Sequence, residues 1–143
     1  MCLSPTPDES TLEQMLAVNR RSAFVAVRAV LPYMREQGGG RVIAIGSRAA
    51  VDGNANAGAY SASKTALIAL MRAIAVENKD RGIAANMILP GTMDTPANRA
   101  ASPSADFTKW VSPVQVARAI VGLASDEHGQ VSGAAIPVYG AEL

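Results

Sequence analysis

Residues 41–91 decide the fold: RVIAIGSRAAVDGNANAGAYSASKTALIALMRAIAVENKDRGIAANMILPG. Arg41-Val42-Ile43-Ala44-Ile45-Gly46 is apolar, β-branched and bounded by glycines, which predicts a short buried strand. Ser47 to Gly58 is rich in Gly, Asn and Asp and reads as a loop. Tyr60 to about Asp80 has the length and spacing of a helix, ended by Gly82. Ile83 to Leu89 is a second strand, closed by Pro90-Gly91. Neither strand alternates apolar with polar residues, as expected of a parallel sheet covered on both faces.

The pattern continues outward. Thr6-Pro7-Asp8-Glu9 combines a cap residue, a proline at the first helical position and acids in the first turn, and Thr6 and Glu9 have capping-box spacing. Leu12, Met15, Leu16, Ala23, Val27, Val30, Leu31 and Met34 then recur at helical spacing. The expectation is a helix from Pro7 to Gln37, roughly 46 Å long at about 1.5 Å per residue, bent at Pro32 and stopped by Gly38-Gly39-Gly40. Thr92 to Ser112 reads as a loop with one helical turn or two. Ser112-Pro113 opens a third helix through about Ser125, and Ala134 to Val138 is a last strand. Helices alternating with strands give an α/β fold with helices on both faces of a parallel sheet. The sheet is small, and the chain opens on a helix that wants a strand before it. The expectation is one domain over residues 1–143 that is the second half of a larger unit.

Composition narrows the function. Of 143 residues, 49% are hydrophobic and 17% charged, which excludes intrinsic disorder. The formal charge of +1 offers no basic footprint for nucleic acid or an anionic membrane. One cysteine, Cys2, and one histidine, His128, leave no disulfide, no Cys/His metal cluster and no Ser-His-Asp triad unless His128 itself serves. The longest apolar run, Thr65 to Val76, is broken by Arg72 and is too short for a bilayer. Met1 to Pro5 lacks the features of a secretory signal, so a cytoplasmic location is expected.

Four polar residues stand where they are not needed for packing. Asn19 falls on the apolar stripe of the first helix. Ser47 follows the carboxyl end of the first strand, where open α/β sheets place their ligands. Tyr60 and Lys64 are four residues apart on the second helix and share one face. An ammonium one turn from a phenol favours the phenolate, and such a phenol can pass a proton to a carbonyl oxygen or take one from an alcohol. A serine hydroxyl opposite can hold that oxygen. This is a site for carbonyl–alcohol interconversion, which also needs a hydride carrier.

Tyr60-Ser61-Ala62-Ser63-Lys64 resembles the YxxxK signature of the short-chain dehydrogenase/reductase family. Asn19 resembles the family's helix asparagine, and Ser47 its strand-end serine. Pro90-Gly91-Thr92-Met93-Asp94-Thr95 resembles the PGxxxT turn that receives the nicotinamide, and the closing helix and strand also agree. The resemblance implies a Rossmann-type doubly wound sheet and an NAD- or NADP-dependent oxidoreductase acting on a small carbonyl or alcohol. It implies Tyr60 as acid–base and Lys64 as its helper and ribose ligand. Ser47 would orient the substrate oxygen, and Asn19 would hold a water that links Lys64 to solvent. Pro90, Gly91, Met93 and Thr95 would bind the carboxamide. The family's TGxxxGxG loop and NAG motif have no counterpart, and Gly38-Gly39-Gly40 precedes a strand instead of following one. The sequence therefore reads as a partial Rossmann-type domain lacking the amino-terminal cofactor-binding half, with doubtful activity alone. The alternative is an inactive fragment that only associates. Asp94 to Trp110 resembles the corresponding loop of the dihydropteridine reductase branch, which generally lacks the serine found here as Ser47.

Residues 66–76 are apolar nearly all round, and Ala62, Ala66, Ala69 and Ala73 are small. A homodimer or homotetramer paired through the helices at 7–37 and 60–80 is the expected assembly, as in the family that the chain resembles.

Overall fold

The computed structural model describes residues 9–125 and 129–141. Thr6 to Asp8 of the expected cap, Cys2 and His128 lie outside them. The elements run α1 (Glu9–Leu16), a π-helical turn (Ala17–Arg21), α2 (Ser22–Glu36), β1 (Gly40–Ile45), α3 (Ala49–Asp52) and α4 (Gly58–Glu77). They continue through β2 (Ile83–Pro90), α5 (Pro96–Ala101), α6 (Pro113–Ala124) and β3 (Ala135–Val138). Single 3₁₀ turns occupy Lys79–Arg81 and Phe107–Lys109.

The strands form one parallel sheet in the order β1-β2-β3. Central β2 is buried along its whole length, which explains its unbroken apolar reading. Its alternate residues serve opposite faces. Ala85, Met87 and Leu89 pack with Val27, Leu67, Ile68, Met71, Ile74 and Ala75 beneath α2 and α4. Ile88 packs with Val116 and Leu123 of α6 on the other side. The sheet is thus wound on both faces.

Three local readings are corrected. The first helical rod departs from α geometry at Ala17–Arg21, while α2 runs on through Pro32. There the Ser22 amide donates to the Ala17 carbonyl, one residue further back than an α-helix allows, and Asn19 sits inside this wide turn. Part of the loop from Ser47 to Gly58 is helical, because buried Ala49 and Ala50 dock a short turn, α3, under α4. Helix α4 begins at Gly58, two residues earlier than expected, and its tail tightens into a 3₁₀ turn before Gly82.

The glycine run before β1 has a packing role. Gly82 has φ +68°, and a Cβ there would meet the Gly38 carbonyl oxygen at 2.5 Å. The Gly40 amide donates to the Gly82 carbonyl at 3.2 Å. The turns entering β1 and β2 cross here, so both must lack side chains.

Candidate active site

Strand β1 ends at Ile45, and the Gly46 amide still donates to the Ile88 carbonyl at 2.7 Å. The chain then leaves the sheet, and Ser47 emerges at its carboxyl edge. The Ser47 hydroxyl oxygen accepts the Ala49 amide at 3.2 Å and so starts α3. The Arg48 amide donates to the Pro90 carbonyl at 2.9 Å, tying this corner to the end of β2.

Helix α4 crosses the same edge. Tyr60 lies in its first turn and Lys64 in its second, both half-buried. The Lys64 ammonium donates to the Ile45 carbonyl at 3.1 Å and stands 5.8 Å from the centroid of the Tyr60 ring. Burial pushes the lysine below its ordinary pKa range. Ser47, Tyr60, Lys64, Pro90, Gly91 and Met93 line one open cavity of about 420 Å³, together with Arg48, Asn54, Thr92 and Asn98. Six of the eight residues singled out from sequence therefore meet in one cleft at the carboxyl end of the sheet.

The other two stand behind it. Thr95 caps α5, accepting the Asn98 amide at 3.3 Å. Asn19 points its amide away from the cleft, donating from Nδ2 to Ser63 Oγ at 3.1 Å. Ser63 is fully buried and in turn donates to the Tyr60 carbonyl at 2.7 Å. Sequence reasoning passed over Ser63, although it falls on the buried stripe of α4 with Leu67, Met71 and Ile74.

Residues 92–112 form a closed loop beside the cleft, to which Thr92, Met93 and Asn98 contribute. Met93 bridges to Val111 at the stem, where the Val111 amide donates to the Thr92 carbonyl at 2.9 Å. Asp94 and Arg99 form a two-bonded ion pair at 2.5 and 2.9 Å. The Arg99 guanidinium lies 4.7 Å from the Phe107 ring centroid, and the Phe107 and Trp110 rings pack tilted at 57° with centroids 4.8 Å apart. Phe107 and Trp110 thus pack inside the loop and do not line the cavity. Arg99 holds the Asp94 carboxyl below its ordinary range.

A phenol, an ammonium and a hydroxyl around one cavity are groups that can give protons to, or take them from, an oxygen-bearing molecule. Among the described residues no group of three or more His, Cys, Asp or Glu could hold a metal ion, and no helix is long and apolar enough to cross a membrane.

The chain is similar to known proteins along most of its length. Residues 3–106 match the family model described as short chain dehydrogenase. The chain is 31% identical to 2,5-dichloro-2,5-cyclohexadiene-1,4-diol dehydrogenase LinX of Sphingobium indicum, over 93% of this chain and 58% of that one. It is 33% identical to 2-(R)-hydroxypropyl-CoM dehydrogenase of Xanthobacter autotrophicus, over 97% and 59% of the two chains. It superposes on a solved short chain dehydrogenase/reductase family protein with a TM-score of 0.89 at 27% identity, over 97% and 60%. On 4-hydroxyisoleucine dehydrogenase complexed with NADH the TM-score is 0.81 at 26% identity, over 93% and 60%. The chain spans about three fifths of the length of these relatives.

Proposed function

The chain belongs to the short-chain dehydrogenase family, and on that premise we propose that its cleft serves a nicotinamide-dependent interconversion of a carbonyl and an alcohol. The observation that carries this reading is the meeting of Tyr60, Lys64 and Ser47 around one cavity at the carboxyl end of β1. The substrate oxygen lies between the Tyr60 phenol and the Ser47 hydroxyl. Tyr60 gives its proton to that oxygen in reduction and takes it back in oxidation. Ser47 accepts the Ala49 amide on a lone pair, which leaves its own proton to donate to the same oxygen. Lys64 keeps a positive charge 5.8 Å from the ring, where phenolate charge develops. Asn19 acts behind the cleft.

A nicotinamide dinucleotide, when bound, supplies or accepts the hydride. The residues present fit its nicotinamide end. Lys64 offers an ammonium to the ribose hydroxyls, and Pro90, Gly91 and Met93 offer backbone beside it in the same cavity, with Thr95 at the back of the turn. The pyrophosphate end is different. The one glycine-dense run is spent where the turns before β1 and β2 cross, at the opposite end of the strands. We propose that the described residues alone hold either NAD or NADP weakly, and that the choice between them is made elsewhere.

The test is Tyr60→Phe in an enzyme that joins these residues to a complete dinucleotide site. Turnover falls at least ~10²-fold while dinucleotide affinity stays within about twofold, because only the transferable proton is lost. A variant that keeps most of its turnover removes Tyr60 from this role.

A second proposal is self-association through α2 and α4. Ala62, Ala69, Ala73 and Val76 form an exposed strip of small apolar residues along α4. Beside it α2 exposes Phe24, Val25, Val30 and Tyr33 at 49%, 56%, 42% and 71%. A second copy of the chain covers both.

A further inference from the structure

We infer that Ser63 is a positioning residue for Tyr60: its hydroxyl ties the first turn of α4, through the Tyr60 carbonyl, to the π-helical turn at Asn19. The inference rests on the acid–base role of Tyr60 given above.

The first turn of α4 is weakly held by its own sequence. Its N-cap position is Ala57, which offers no side-chain acceptor to the first amides. The segment before it contains Gly53 at φ +66° and Asn56 at φ +61°, and residues 51–56 are all exposed. An uncapped helix start after such a segment frays unless something else fixes it. Tyr60 is the third residue of that helix.

Ser63 restrains this turn differently, from its carbonyl side and not at its free amides. Its hydroxyl donates back to the Tyr60 carbonyl at 2.7 Å and accepts Asn19 Nδ2 at 3.1 Å. Both bonds are shielded, since Ser63 is 0% exposed. Asn19 reaches Ser63 from the wide turn at Ala17–Arg21. On the other side Thr65 bonds the Ala50 carbonyl at 2.8 Å and the Ser61 carbonyl at 2.9 Å, which secures the following turn to α3. Lys64 is held separately by the Ile45 carbonyl at 3.1 Å. The Asn19–Ser63 pair is therefore the side-chain tie on the Tyr60 carbonyl itself, and its loss shifts Tyr60 relative to a Lys64 that stays in place.

The experiment uses the chain itself with its tyrosines ¹³C-labelled at Cζ. Tyr33, exposed at 71%, and Tyr139, packed against the core, are internal references. Ser63→Ala moves the Tyr60 signal toward that of Tyr33 and speeds exchange of amides 61–63, the first of α4 with backbone acceptors, about fivefold, as expected for the loss of about one side-chain hydrogen bond. Tyr139 does not move. Asn19→Ala gives the same Tyr60 change, and the double variant adds nothing to either single one. Ser63→Thr, which keeps the hydroxyl, restores the Tyr60 signal. An unchanged Tyr60 signal in folded Ser63→Ala, or additive effects of the two alanines, overturns the inference. If Ser63→Ala does not fold, Asn19→Ala at its half-exposed position decides alone. None of these measurements needs a dinucleotide. A negative result therefore removes Ser63 and leaves the hydride-transfer reading to the Tyr60→Phe test.

Discussion

Lys64 couples the charge of the cleft to the stability of the chain. Burial lowers its pKa, so the folded state releases this proton at a lower pH than the unfolded state does. Between the lowered value and the ordinary lysine range the unfolded chain binds the extra proton, and stability rises with pH. Urea titrations across the alkaline range should show this rise, with a slope of at most ~1.4 kcal/mol per pH unit for one proton. Lys64→Met should flatten it. A wild-type curve equally flat over that range would mean that the ammonium is fully solvated. At this scale Tyr60, Lys64 and Ser47 were legible because their chemistry depends on spacing along a helix or on a place at a strand end. Ser63 was not, because a serine on a helix gives no sign of which turn it faces.

Among the elements, β2 carries the most information, and one of its residues is polar. Asn86 is 1% exposed, donates to the Val131 carbonyl at 2.7 Å and accepts the Ala134 amide at 3.1 Å. It fastens the approach to β3 onto the middle of the sheet. Asn86→Leu strands two backbone groups at ~1–3 kcal/mol each, so a loss of about 3 kcal/mol is expected in urea unfolding. A loss below about 1 kcal/mol would show that water replaces the amide. The strands and long helices were legible since apolar runs and periodicity are local signals. Helix α3 is too short for periodicity and forms because Ala49 and Ala50 find cover under α4. The π-helical turn is equally hidden, for Ala17–Arg21 has nothing in its composition to distinguish it from the α-helix on either side. What favours it is tertiary: Asn19 reaches Ser63 on another helix.

On the scale of the whole molecule, the sheet has one protected strand and two partly covered ones, and its helical layer shows an apolar strip to solvent. Sedimentation over a concentration series should show a dimer or larger species at tens of micromolar, roughly the range in which a modest interface fills. Ala69→Glu with Ala73→Arg should shift the equilibrium to monomer without changing the circular dichroism. A wild-type monomer at those concentrations would refute the pairing. The parallel sheet with helices on both faces and the alanine-rich outer face of α4 follow the sequence reading, while the strand order β1-β2-β3, and the half-burial of Ala66 beside exposed Ala62, Ala69 and Ala73, needed the structure. The loop beside the cleft has a further consequence. Trp110 is the only tryptophan in the chain, and it packs against Phe107 in the segment that contributes Thr92, Met93 and Asn98 to the cavity. All indole fluorescence of this protein therefore originates in the segment that borders the cleft, so the emission colour reports the surroundings of that segment without an attached dye.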